Sequence, residues 1–335
     1  MKNNYEKINK NLFQPAAIDP NKSEKISKPS LTYWKTAWLR LKKNIAAISG
    51  LIIIIVIFLL AIFGSFMNSY GFNDQDVMRA NMPPKVPVIE NLGILDGTRN
   101  GVDVYEQRGE EGYFWFGTDG LGRDIWSRVW TGTRISLYIA FLAAIIDMII
   151  GVAYGGISAY YGGRVDNVMQ RIIEVLVGIP NLVIVILMLL VLEPGIIAIT
   201  IALTITGWVG MARVVRGQVL KLKGQEFVLA SKTLGSADSK IITKHLIPNV
   251  AGVVIINTMF TIPSAIFFEA FLSFIGLGLQ APQVSLGTLI EDGFTSLQIF
   301  PHIMVFPAII ISLLMIAFNL LADGMRDALD PKMKD

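Results

Sequence analysis

The 335-residue chain has no cysteine and only two histidines, His245 and His302, far apart in sequence. Disulfides and thiolate metal sites are excluded, and so are a zinc cluster and a histidine-based triad of ordinary type. Charge is scarce too: 16% of the residues are Asp, Glu, Lys or Arg, against about 25% in an average soluble protein. No Gly-Lys dipeptide occurs, so the chain has no nucleotide-binding P-loop of its own. No internal repeat is evident, which counts against transporters built from paired halves. Neither a nucleophile–base pair nor a metal cluster is visible, which disfavours a membrane enzyme. What is present in abundance is apolar side chains, 53% of the residues, with a mean hydropathy of +0.55. That is too apolar for a soluble domain of this size, and for a disordered chain.

A helix needs roughly 20 apolar residues to cross the hydrocarbon core. Six uncharged or nearly uncharged runs meet this need, which predicts an all-α polytopic membrane protein. The first span is 45–66, and the other five are about 135–158, 175–192, 195–212, 247–268 and 303–322. A single charge, Asp147, interrupts them.

Orientation follows from Lys and Arg, which gather on the cytosolic side. With the N-terminus inside, the cytosolic segments are 1–44, 160–174, 213–245 and 323–335. They carry 22 Lys/Arg against 11 acids. The opposite side carries 7 Lys/Arg against 14 acids, with Glu269 counted there. The net charge of +3 thus divides into +11 inside, −7 outside and −1 at Asp147. Both termini are expected in the cytosol. The long polar start and the lack of a small-residue cleavage site predict that the first span is retained.

Residues 1–30 read as a polar, poorly ordered tail. In 31–43, Leu31, Trp34, Trp38 and Leu41 repeat at helical spacing beside Lys35, Arg40, Lys42 and Lys43. This fits an interfacial helix on anionic lipid, or a basic flank with a Trp belt, and the pattern leaves both open. Residues 67–134 form the largest external region, either a small folded extension or an ordered loop. Gly151 and Gly155 have the small-xxx-small spacing that permits close helix contact. Pro180 is expected to kink the third span. Asp147 and Pro180 are candidates for lining a pathway. Asp147 is a costly intramembrane charge with either a substrate role or a hydrogen-bonded place between helices.

The basic loop 213–245 places Phe227, Ala230, Leu234, Ile241 and Ile242 at amphipathic spacing around Gly235. Two short helices are predicted, with Ser236 and Asp238 as N-caps and Pro248 opening the next span. Such a shape suits docking into a partner's groove, or resting on the membrane.

Leu229-Ala230-Ser231-Lys-Thr-Leu234-Gly235, followed nine residues later by His245-Leu-Ile-Pro248, resembles the coupling loop of ABC-importer permeases. Ala230, Gly235 and Pro248 keep that pattern. Leu229, Ser231 and His245 depart from it in the way of the peptide branch, where Glu226 is the nearest acid. Three further blocks are similar to the peptide-permease C subunits. They are Phe116-Gly-Thr-Asp119-Gly-Leu-Gly122-Arg123-Asp124 with Gly132-Thr-Arg134-Ile-Ser136, then Glu269-Ala-Phe-Leu-Ser-Phe-Ile-Gly276-Leu-Gly278 with Pro282, and Gly324-Met-Arg326-Asp327-Ala-Leu-Asp330-Pro331. Leu286-Gly287 departs where the family often has Trp before Gly. Asn11-Leu-Phe-Gln-Pro15 and Glu24-Lys-Ile-Ser27 look like oligopeptide permease C subunits of Gram-positive bacteria.

The resemblance implies a type I ABC-importer permease fold in a bacterial plasma membrane. It implies oligopeptide uptake, with a dipeptide or nickel permease as the alternative. The implied partners are a homologous second permease, two cytosolic ATPases, an extracellular peptide-binding lipoprotein, peptide and membrane lipid, with no nucleic acid. No cofactor, no metal and no catalytic residue is expected, because the partners hydrolyse ATP. Glu226, Leu229, Ala230, Ser231, Leu234, Gly235, His245 and Pro248 would couple to the ATPases. Asp119, Gly122, Arg123 and Asp124 would hold an external gate or order the loop through an ion-pair network.

Overall fold

The computed structural model describes residues 32–192 and 195–329. The tail 1–30, its two resemblance blocks, Leu31, Glu193, Pro194 and the Asp330-Pro331 pair lie outside the described residues.

A short helix, α1 (Tyr33–Leu41), precedes α2 (Ile45–Phe63). Asn44 separates them and caps α2, its Oδ1 accepting the Ala47 N–H at 3.1 Å. On α1 the predicted stripe divides. Trp34 and Trp38 are exposed, while Leu41 packs with Ala47 and Ala328.

Residues 67–124 are a compact extension. Tyr105 and Phe114 bury their rings beside Met82 and Tyr70. The Tyr105 hydroxyl donates to the Pro83 carbonyl at 2.8 Å. A two-residue ribbon, β1 (Thr98–Arg99) with β2 (Val102–Asp103), leads into α3 (Val104–Arg108). Arg79 clamps Glu110 at 2.6 Å.

The transmembrane body begins with α4 (Ile125–Tyr161), 37 residues long. It starts ten residues before the expected 135, because the Arg128 and Arg134 charges do not end it. Asp124 caps its first turn, accepting the Ser127 N–H at 2.8 Å, and Arg128 is neutralised by acids nearby. Next come α5 (Gly163–Gly178) and α6 (Asn181–Val191).

In this pair the kink expected at Pro180 in the third span, 175–192, is a full break between two helices. The two helices meet at 82° across Ile179-Pro180. Pro180 disfavours a helical residue before it, and Ile179 is extended, at φ −91° and ψ 124°. Helix α6 is about 16 Å long, short of the roughly 30 Å core. The sixth crossing therefore exists only if the bent pair is taken as one span.

Helix α7 (Ile196–Leu222) runs ten residues beyond its predicted end. After α8 (Glu226–Thr233) and the short α9 (Asp238–Lys240), a wide π turn at Ile241–Leu246 joins α10 (Ile247–Phe274). Helix α11 (Leu286–Phe294) and α12 (His302–Leu329) complete the described chain.

The main buried core is shared by α2, α4, α7, α10, α11 and α12, and the most extensive helix-to-helix face is that of α4 against α7. A Cβ on Gly151 would fall 2.5 Å from the Met211 Cβ, and one on Gly155 would fall 2.3 Å from the Ala212 carbonyl oxygen. The small-xxx-small pattern is thus a contact surface. The neighbouring Gly156 has its nearest atom, Ile242 Cγ2, at 3.9 Å. Gly155→Ala is therefore expected to destabilise the folded protein by about 1–3 kcal/mol through overpacking. Gly156→Ala is expected to be neutral or to stabilise by up to about 1 kcal/mol through helix propensity. Thermal unfolding of the two purified variants in one detergent checks the contrast.

Candidate functional site

The 213–245 region gathers at one end of the bundle. Helix α8 ends in a Schellman closure. The Ser236 N–H bonds the Ser231 carbonyl at 3.1 Å, and the Gly235 N–H bonds the Lys232 carbonyl at 3.0 Å. Gly235 sits at φ +78°, a conformation open to glycine and strained with a Cβ. Nothing lies within 4 Å of its absent side chain.

Helix α8 faces two ways. Val228 is buried with Val215, Val219, Ile241 and Leu246. Phe227, Leu229 and Leu234 are exposed at 43%, 51% and 85%. The expected second amphipathic helix is not separate, since α9 and the π turn are continuous with α10. The expected caps also differ. Ala237 occupies the N-cap position with no side-chain bond, and Asp238 instead accepts the Tyr160 hydroxyl at 2.6 Å. Pro248 is the second residue of α10, directly after the π turn, where its missing N–H leaves one helical bond unmade. The π turn closes just before it, with the Ile247 N–H bonded to the Ile242 carbonyl. His245 lies in that turn.

The same end is fastened by a fork-to-fork pair. Arg216 Nε and Nη2 donate to Asp166 Oδ1 and Oδ2 at 2.7 and 2.6 Å. Both carboxylate oxygens are thereby held in one plane with the guanidinium, the geometry that makes such pairs strong. Lys223 Nζ donates to the Ala159 carbonyl at 2.7 Å.

At the opposite end, Asp119, Gly122, Arg123 and Asp124 do come together. Asp119 Oδ1 accepts the N–H groups of Leu121 and Arg123, at 2.9 and 3.0 Å, and Oδ2 accepts Arg123 Nε at 2.7 Å. Gly122 has φ +72°, and a Cβ there would collide with the Asp76 carbonyl. Asp124 also accepts Asn68 Nδ2 at 2.6 Å, and burial pushes its carboxyl above the usual range. Arg128 and Asp292 extend this network, 3.2 Å apart. Neither was legible beforehand, because a lone Arg and a lone Asp 164 positions apart carry no spacing signal.

Glu269 is a further hub the motif reading did not explain. It is fully buried. Its Oε2 accepts the Ser136 hydroxyl at 2.9 Å and its Oε1 the Ser273 hydroxyl at 2.8 Å. The Leu286 N–H donates back to Ser136 at 3.2 Å. One carboxylate thereby joins α4, α10 and the start of α11.

Between the ends lies a cleft of about 360 Å³, walled by α4, α7 and α10. Asp147 and Asn181 both line it. Pro180 does not, but the bend it causes brings Asn181 there, where Thr206 Oγ1 donates to Asn181 Oδ1 at 2.7 Å.

Comparison with known proteins explains why these features sit together. Residues 148–335 match the model of the binding-protein-dependent transport system inner membrane component. Residues 32–84 match the N-terminal transmembrane domain of oligopeptide transport permease C. The chain belongs to the binding-protein-dependent permease family. It is 45% identical over 98% of its length to the oligopeptide transport system permease protein of Bacillus subtilis, covering 99% of that protein. It is 46% identical over 93% of its length to the B. subtilis dipeptide permease protein, covering 90% of it. It is 44% identical over 98% of its length to the dipeptide permease protein of Lactococcus lactis, covering 99% of it.

As a permease of this family the chain is a membrane transport component and not an enzyme. Membership implies a partner permease and ATPase subunits. The binding-protein-dependent permease family model spans α5 to α12 and the C-terminal part of α4, whereas the extension over residues 85–124 lies outside both matches.

The Asp119–Arg123 pair has side chains 6% and 10% exposed. Arg123→Ala would leave Asp119 buried with a lesser partner, at a cost of about 3 kcal/mol. Faster proteolytic cutting within 68–124 and a lowered unfolding temperature are expected. In a double-mutant cycle with Asp119→Ala, the two losses should fall short of adding.

Proposed function

We propose that this permease takes up oligopeptides across the plasma membrane of a Gram-positive bacterium, driven by two partner ATPases. In this reading both termini and the 213–245 region lie in the cytosol, and the 67–124 extension faces outward. The observation that carries the reading is the charge division, +11 against −7, across the two sides of the chain. It supports a cytosolic position, on the side where ATP is, for the basic face and the exposed Phe227, Leu229 and Leu234.

The mechanism follows from how α8 is tied to the bundle. Its outer face seats in a groove of an ATPase, with Glu226, Leu229, Ala230, Ser231 and Leu234 on the contact helix. Its inner face holds α7 and α10 through Val228, Val215, Ile241 and Leu246. When the ATPases close, α8 moves as a lever and draws the cytosolic ends of α7 and α10 with it. Gly235 fixes the exit angle of α8, while His245 and Pro248 fix the turn into α10. Such a two-state element, biased by a partner's closure, alternates access to the pathway. A peptide-binding lipoprotein delivers the substrate to the outer face, onto a surface braced by Asp119, Gly122, Arg123 and Asp124.

Dipeptide uptake is the second reading, favoured by the two dipeptide-permease relatives. The deciding experiment reconstitutes the chain with its partner permease, ATPases and binding protein in liposomes. ATP-driven uptake of a length series from two to five residues, with the membrane potential collapsed, is expected to peak above two. A peak at two selects the dipeptide reading. Absence of ATP-driven uptake under these conditions, with uptake restored when a membrane potential is imposed without ATP, overturns both.

Position 235 tests the lever. Gly235→Ala forces a Cβ into the left-handed region at a cost of about 1–2 kcal/mol. Asn tolerates that region better, so Gly235→Asn should recover function. The Ala variant is expected to insert normally and lose roughly tenfold in uptake, about 1.4 kcal/mol being one factor of ten. Stimulation of the ATPases by loaded binding protein should fall with it. Uptake equal to wild type in the Ala variant removes the lever.

A further inference from the structure

Asp147 differs from every other buried carboxylate among the described residues. Asp119, Asp124, Asp166 and Glu269 each accept at least two hydrogen bonds. Asp147 is 5% exposed, and its Oδ1 has no hydrogen-bond partner. A buried carboxylate in the membrane interior is costly without a counter-charge. No Lys, Arg or His lines the cleft with it.

The surroundings are shaped for that carboxylate. Gly207 on α7 faces it, and a Cβ there would lie 2.2 Å from Asp147 Oδ2. Any side chain at 207 would displace the carboxylate. The rest of the wall offers Asn257, Thr261 and Ser264, together with the rings of Phe260 and Phe268. Uncharged polar groups, aromatic rings and one unpaired acid suit an organic cation. The volume of about 360 Å³ is that of a small-ligand site.

We propose that Asp147 is the pathway subsite for a primary ammonium group of the passing peptide, with Gly207 keeping the space it needs. This rests on the reading of the chain as a peptide permease. The ammonium supplies the missing counter-charge and three N–H donors. Its source is either the peptide's own N-terminus or a lysine side chain, and the two differ in which peptides feel the site.

The absence of cysteine gives a clean test, since Ser264→Cys is then the sole thiol of this chain. Ser264 is exposed and lines the cleft. In the full reconstituted complex, its labelling by a cationic thiosulfonate is compared with that by an anionic one of equal size. The cationic reagent is expected to gain roughly tenfold in relative rate, the equivalent of about 1.4 kcal/mol, and Asp147→Asn should abolish the gain. Trialanine with a free N-terminus should protect the cysteine, more strongly with the Asp147 carboxylate present than in the Asp147→Asn variant. N-acetylated trialanine should not protect. If the N-acetylated tripeptide Ala-Lys-Ala protects in an Asp147-dependent manner, the lysine ammonium is a source as well. Protection by trialanine that is the same with and without the Asp147 carboxylate overturns the proposal, as does a labelling ratio that Asp147→Asn leaves unchanged. ATP-driven uptake of trialanine by the wild-type complex is measured alongside. Its absence counts against the permease reading, whereas uptake without ammonium preference counts against this subsite alone.

Discussion

The close approach of α4 and α7 is the contact on which the rest of the molecule depends. Without water in the membrane there is no hydrophobic drive between helices, so close packing has to hold them. Gly151 and Gly155 let the α7 backbone come within van der Waals reach at Met211 and Ala212. Everything else in register follows. Arg216, one turn beyond Ala212, meets Asp166, Lys223 reaches the end of α4, and Gly207 meets Asp147. A single sliding error between these two helices would unmake the ion pair, the cleft and the seat of α8 together.

The same pair explains how motion at one end reaches the middle. Val215 and Val219 of α7 share a buried cluster with Val228 of α8, Ile241 of the π turn and Leu246 just before α10. In the proposed lever, α8 would therefore carry two walls of the cleft when it tilts. The wide turn ahead of Pro248 is the softer point, because one helical bond is already given up there.

Charge is handled in two opposite ways along the chain. At the end holding Asp119 and Asp124, and around Glu269, each buried carboxylate is held by an arginine, a hydroxyl or a backbone N–H. Those groups order the structure, and breaking one is a stability event. In the cleft, Asp147 Oδ1 is left without a hydrogen-bond partner, and, unlike Asp124, whose Oδ1 is also bare, Asp147 has no donor among the described residues holding its other oxygen. The contrast separates what the fold uses for itself from what it leaves for a ligand.

Class, the number of apolar runs and the basic side of those runs were all legible in the residues alone. Hydropathy and charge distribution act residue by residue, so they can be read without knowing contacts. The Gly235 closure and the Gly151–Gly155 contact were legible too, since a glycine in either place has a local or periodic reason. The helix ends at 125 and 222, and the run of α12 past 322, were not. Arg128, Arg213, Arg216 and Arg326 look like boundaries until partners such as Asp292 and Asp166 are known. The break at Pro180 was expected as a kink, but its 82° angle was not legible in the residues. Two features came from packing and from nothing local: the end of the 213–245 region merges with α10, and Glu269 ties three helices together. Each depends on which helices lie side by side, and a pairing between residues distant in sequence leaves no trace in local pattern.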